Sequence, residues 1–207
     1  WAPFPAHDDG VLVWVRLPTD GESPTDQPVP SDRPPADRAV SAVVSMQGRC
    51  EPRDVIANRL DPWHGSWLHP YAFSHLTVDE DASDDSRLAV DVTFRLGRTF
   101  GVPVRAVFSC PDARTITMHI VEGEGKGSVV ETHATPIGTD SHGAPITQVT
   151  EVTMAYSARS GFRVATRLAP LLRPAMRHTA RHLWVDDLTY AERRYRVRTG
   201  ELGPVAH

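Results

Sequence analysis

Residues 162–184 read FRVATRLAPLLRPAMRHTARHLW. Val164, Leu168, Leu171, Leu172, Ala175, Thr179, Ala180 and Leu183 recur at i, i+3, i+4 and i+7, the spacing of one face of a long amphipathic helix. Pro170 and Pro174 fall inside it and should kink it or delay its regular part, because proline lacks an N–H and crowds the preceding turn. Upstream the period changes. Val40–Met46, Phe73–Val78, Leu88–Leu96, Val102–Cys110, Thr115–Val121, Ser128–Thr135 and Ile146–Tyr156 carry β-branched or alternating residues between turn signals, so they read as strands. Residues 53–69 read as one helix. Strands in a meander followed by a long one-sided helix predict an α+β fold: a curved antiparallel sheet around a long C-terminal helix, which buries the apolar stripe.

Toward the N-terminus, Val11-Leu-Val-Trp-Val15 reads as a buried strand between Asp8-Asp-Gly10 and Pro18. Residues 18–38, with prolines at 18, 24, 28, 30, 34 and 35, read as an extended surface segment. Asp79–Asp85 places five acids in seven positions and reads as a solvated hairpin loop, not a metal cage. Gly123–Gly127 reads as a turn; the spacing of a phosphate-binding loop is missing. The expectation is a single domain over residues 1–207, with an entry strand and Pro-rich segment over 1–38 and the core over 40–207. The opening Trp1-Ala-Pro-Phe-Pro resembles neither a signal peptide nor an initiator end, and reads as the start of a fragment of a longer polypeptide.

Composition narrows the function. The chain has 207 residues, 40% hydrophobic and 23% charged, enough for a sizeable core. A formal charge of −4 argues against nucleic acid as the main partner. No apolar run approaches the roughly 18–20 residues a membrane span needs. Cys50 and Cys110 are too few for a disulfide framework or a thiolate metal cage, and a cytoplasmic location is expected. Lys126 is the only lysine among 22 basic residues, which reads as coding bias.

The chemistry concentrates in Asn58-Arg-Leu-Asp61-Pro-Trp-His64-Gly-Ser-Trp-Leu-His69. Asp61 and His64 would share a helix face, but His64 and His69 would lie about 140° apart on a regular helix. Both can reach one ion only where the helix bulges or ends, and Pro62, Gly65 and Ser66 tolerate such a break. Two imidazoles and one carboxylate with open positions suit a mononuclear non-haem Fe(II) centre. The carboxylate is expected from Trp184-Val-Asp-Asp187, with Asp186 as the rival to Asp187.

Asn58, Asp61, His64 and His69 match the Asn-x2-Asp-x2-His-x4-His signature, so the chain resembles the catalytic domain of Rieske-type non-haem iron oxygenases. Asp187 followed by Glu192 is similar to that family's closing motif, and Gly10–Val15 looks like its entry strand. Neither cysteine fits a Cys-x-His or Cys-x2-His pair, so the resemblance implies a Rieske [2Fe–2S] domain upstream of this chain. It also implies a START-like, helix-grip fold with His64, His69 and Asp187 as metal ligands. Asp61 would bridge to a Rieske centre on a neighbouring subunit of a homotrimer, and Asn58 would support the iron site. Iron would activate O2 to oxidise a small apolar or aromatic substrate, with electrons from NAD(P)H through a ferredoxin or reductase.

Two other readings stand beside it. A START-like module could bind a hydrophobic ligand without chemistry, and a metal hydrolase could use Glu192 as its base. The remaining histidines (His7, His75, His119, His133, His142, His178, His182 and His207) read as surface or core residues, and Trp63 and Trp67 as packing groups. Arg193, Arg194, Arg196 and Arg198 read as alternating charges on an exposed strand; the oxygenase resemblance would allow that face to meet an acidic electron donor.

Overall fold

The computed structural model describes residues 3–16, 28, 31–96 and 100–201. A small hairpin comes first: β1 (Ala6–Asp8) pairs antiparallel with β2 (Val13–Val15). A 3-10 turn at Ala36–Arg38 leads into β3 (Val40–Gly48), and two short helices follow, α1 (Pro52–Arg59) and α2 (Pro62–Leu68). Six strands then run as a meander: β4 (Phe73–Asp84), β5 (Arg87–Leu96), β6 (Phe100–Asp112), β7 (Thr115–Gly123), β8 (Val129–Thr139) and β9 (Pro145–Ala155). The chain closes with α3 (Phe162–Arg167) and the 31-residue α4 (Ala169–Thr199). The strands form one antiparallel sheet of seven, in the order β3-β9-β8-β7-β6-β5-β4. This is the helix-grip arrangement of START-like proteins.

Side-chain alternation sets which face is inner. In β3, Val40, Ala42 and Val44 are buried, as period-2 burial requires. Val44 and Val149 from the sheet pack with Val55 of α1 and with Ala180, Trp184, Leu188, Ala191 and Tyr195 of α4. A second apolar cluster is built from strands alone: Val90, Val92, Val104, Ala106, Met118 and Ile120, flanked by Phe73, Phe94, Phe108 and Val130. Gly48 is needed where β3 meets α4, since a Cβ there would sit 2.7 Å from a methyl of Leu188.

Several expectations change. The helix expected over 53–69 is two helices, because Asp61 caps a new start with Pro62 in its first turn. The acidic run is largely strand: β4 continues to Asp84, and Asp79 is neutralised by Arg105 at 2.7 Å. Val13 and Val15 are exposed, so the strand expected to be buried is one arm of a hairpin with only Trp14 turned to the sheet. Of the Pro-rich segment, only residues 28 and 31–38 lie within the described residues.

The long helix differs most. It runs on to Thr199 and stops at Gly200, whose φ of 79° is the left-handed C-cap that glycine favours. The arginines at 193–198 are therefore helical. Arg198 bonds Asp54 at 2.9 Å and Arg194 lies 3.7 Å from it, so two of these cations neutralise a buried acid of this same chain. Pro170 sits in the first turn of α4, where no donor is missed, and Pro174 is carried inside the helix. The stripe expected to be buried is exposed at its start: Val164, Leu168, Leu171 and Leu172 all keep contact with solvent. Burial on α4 begins in earnest at Ala180, where the helix packs on β3 and α1. Among the described residues, no helix is long and apolar enough to cross a membrane.

Candidate metal centre

His64 lies in the first turn of α2. The helix ends at Leu68, and His69 follows as its C-cap with φ −121° and ψ 48°, outside helical values. That exit swings the second imidazole round to the first, overcoming the spacing of an unbroken helix. The His69 carbonyl then accepts from the amides of Ala72 and Phe73, which fixes the tight turn into β4. Asp187 arrives from α4. The ring nitrogens and carboxylate oxygen of His64, His69 and Asp187 lie within 4.8 Å of one another. Asp187 Oδ1 is 2.8 Å from His69 Nε2 and 3.3 Å from His64 Nε2.

The outer nitrogens are engaged elsewhere, which decides what the inner ones can do. His64 Nδ1 donates to the backbone carbonyl of Asp61. His69 Nδ1 lies 3.3 Å from the Tyr71 hydroxyl, which donates onward to Asp186 Oδ2 at 3.0 Å. With the protons moved to Nδ1, both Nε2 atoms would be free to accept an ion in place of the bonds they make to Asp187 here, the tautomer that metal-binding histidines adopt. Burial by itself would raise the Asp187 carboxyl. Hydrogen bonds to His64 and His69, with the nearby charge of Arg59, overcome that and hold its pKa at about 2. A buried carboxylate beside two imidazoles is a donor set that fits a divalent transition-metal ion. Asp186 instead bonds Tyr71 and is much more exposed than Asp187.

The other sequence-predicted residues take structural positions. Asn58 is buried, and its Nδ2 donates to the backbone carbonyl of Asp187 at 2.9 Å, which pins α4 to α1 beside the triad. The Asp61 side chain accepts from the Trp63 amide at 3.0 Å and from the Tyr190 hydroxyl at 3.0 Å. It caps α2, while its backbone carbonyl orients His64. Glu192 accepts from the Arg49 amide at 2.9 Å and ties the end of β3 to α4. Trp63 and Trp67 are exposed by 58% and 82%, so they are not packing groups.

Sequence reasoning missed the polar groups around the triad. Tyr71 and Asp186 complete the chain of bonds from His69. On the inner face of the sheet, Glu151 is buried and accepts from Trp184 Nε1 at 2.9 Å; burial raises its carboxyl above the ordinary range, against the pull of Arg59. An acid between Val149 and Val152 of a strand was the available signal. From His69 the site opens on apolar surface: its ring is 6.0 Å from Phe73, and Phe73 is 5.4 Å from Phe94, both bordering the strand-only cluster.

Comparison with known proteins agrees with the fold and corrects the family. The crystal structure of TTHA0849 from Thermus thermophilus superposes with a TM-score of 0.56 at 16% identity, covering 73% of this chain and 96% of that one. The Zhui aromatase/cyclase from Streptomyces sp. R1128 gives 0.56 at 12% identity, covering 81% and 99%. The di-domain aromatase/cyclase StfQ of the steffimycin biosynthetic pathway gives 0.54 at 13% identity, covering 79% of this chain and 53% of that one. No curated protein matches the sequence significantly.

These relatives overturn the resemblance to Rieske-type oxygenases, because the similar folds are helix-grip proteins of the aromatase/cyclase kind. The oxygenase activity, the upstream [2Fe–2S] domain, the ferredoxin or reductase donor and the homotrimer rested on that resemblance and are withdrawn with it. So is the bridging role of Asp61, whose side chain is occupied with a helix cap and Tyr190. A family profile described as Domain of unknown function (DUF5914) matches residues 19–202, nearly the whole chain, and the protein therefore belongs to the DUF5914 family.

Proposed function

We propose that this chain is a START-like module that binds a small, mostly apolar ligand between its sheet and its long helix, with a divalent metal ion held by His64, His69 and Asp187. The convergence of those three side chains beside the Phe73–Phe94 wall carries the reading. The first half of α4 supports it. At about 100° per residue, Leu172, Met176 and Leu183 fall on the same flank of the helix as Asp187. That flank is apolar and only partly covered, with Leu172 exposed and Met176 and Leu183 half-buried. A bound ion would supply a Lewis-acidic point at which an oxygen of the ligand could be held.

Calorimetric titration of chelator-treated protein with Zn(II) and Co(II) tests the metal. One ion per chain is expected, with loss of binding in His69→Ala and Asp187→Ala. Equal uptake by wild type and both variants would refute the triad as the ligand set.

A further inference from the structure

The inner face of the sheet carries a second polar station apart from the triad, and its assignment rests on the ligand-binding reading above. Thr132 of β8 and Glu151 of β9 are register partners, so their side chains stand side by side on one face. Both are buried, and Thr132 Oγ1 has no hydrogen-bond partner among the described residues. Arg59 Nε is likewise buried and unpartnered, while its guanidinium carbon lies 5.8 Å from the Trp184 ring centre. Trp184 in turn donates to Glu151. An orphaned hydroxyl and an orphaned guanidinium N–H beside a buried acid cost free energy unless something accepts from them.

The surroundings say what that is. Along β8 the same face presents Val130, Thr132 and Ala134 in turn. Val130 borders the strand-only apolar wall, and Ala134 belongs to the core under α4. Ile116 of β7 lies in register with Thr132 on its other side. Thr132 thus marks the boundary where the wall passes into the packed core, the depth at which one end of an apolar ligand would stop. We propose that Thr132, Arg59 and Glu151 form a head-group subsite for a carboxylate at the buried end of an otherwise apolar ligand. Two donors, one of them cationic, face an acceptor oxygen there. Burial raises the Glu151 carboxyl above its ordinary range, which lessens its repulsion of a ligand carboxylate.

The test compares two probes, 1-pyrenebutanoate and its uncharged methyl ester, on chelator-treated protein so that no ion at the triad takes part. Binding is read by pyrene fluorescence for wild type, Thr132→Val and Glu151→Gln; circular dichroism establishes that each variant is folded. Wild type should hold the acid at least tenfold more tightly than the ester. Thr132→Val, which keeps the shape and removes the hydroxyl, should abolish most of that preference and leave ester binding unchanged. Glu151→Gln removes the charge and should retain the preference. If the ester binds as well as the acid, or Thr132→Val leaves the preference intact, the subsite holds only water and the proposal fails, while the ligand-binding reading stands. If neither probe binds, both fail.

Discussion

Removing the carboxylate charge of Glu131 tests the outer side of the sheet. Glu131 of β8 is 1% exposed. It accepts from Ser31 and from Arg33 Nη2 at 2.7 Å, and His133 Nε2 lies 3.1 Å away. Arg33 Nη1 reaches on to Asp9 at 2.6 Å, and Asp9 receives the Trp14 indole at 2.7 Å, so one buried acid fastens the N-terminal hairpin to the sheet. Burial pushes the Glu131 carboxyl up; the hydrogen bonds from Arg33, His133 and Ser31 outweigh it and bring it from 4.5 to about 2. Such a drop corresponds to roughly 3 kcal/mol of folding stability near neutrality. Because the folded value lies below the unfolded one, this contribution is complete above pH 4.5 and is lost as pH falls toward 2. By pH 3.5 about 1.4 kcal/mol of it is gone, a tenfold change in the folding constant. Glu131→Gln should therefore lower stability in urea by about 2–3 kcal/mol at pH 7, followed by tryptophan fluorescence, and the gap to wild type should narrow by about 1.4 kcal/mol at pH 3.5. A gap that stays constant with pH would refute the charge-based account, since a lost hydrogen bond or a packing defect does not titrate.

Four further outcomes follow. Asp61→Ala removes the α2 cap and should cost about 1 kcal/mol in thermal or urea unfolding, yet leave metal titration unchanged because His64 is held by the backbone carbonyl of residue 61. Gly48→Ala forces a Cβ to within 2.7 Å of Leu188 and should cost about 1–3 kcal/mol, read from the urea midpoint. Trp184→Phe takes away the donor that Glu151 accepts and opens a gap under α4; destabilisation of about 2–4 kcal/mol is expected. Cys50 is wholly buried with its thiol pushed up to about 12, chiefly by burial, while Cys110 is exposed, so an aromatic disulfide reagent at about pH 8 should label one thiol of the native protein and two after unfolding.

Where a feature depends on neighbours within a few residues, it is legible in the chain itself. The β-branched alternation of Val40–Met46 or Leu88–Leu96 announces strands because period-2 burial leaves period-2 composition. The proximity of His64 and His69 to a helix break can be read from Pro62 and Gly65. Even Asp187 is reachable, since its helix face follows from counting back to Leu183. The errors share the opposite character. Leu168, Leu171 and Leu172 have the spacing of a buried face, but spacing reports a helix's own periodicity and not whether a sheet lies opposite. Arg193–Arg198 alternate like an exposed strand, and only the docking of α4 on α1 shows them serving Asp54.

By itself, then, the sequence determined the strands of the meander, the long late helix and the α+β grip, and it singled out the three residues that converge, because propensity, capping and periodicity act over short distances along the backbone. Tertiary structure alone decided that the Asp61 carboxylate also holds Tyr190, that Thr132 stands beside Glu151, and that Arg59 lies over Trp184. Only it set Asp186 to receive the Tyr71 hydroxyl beside His69. Those pairings join residues about 20 to more than 100 positions apart, and partners so distant are chosen by how the sheet curves and where the long helix lands on it.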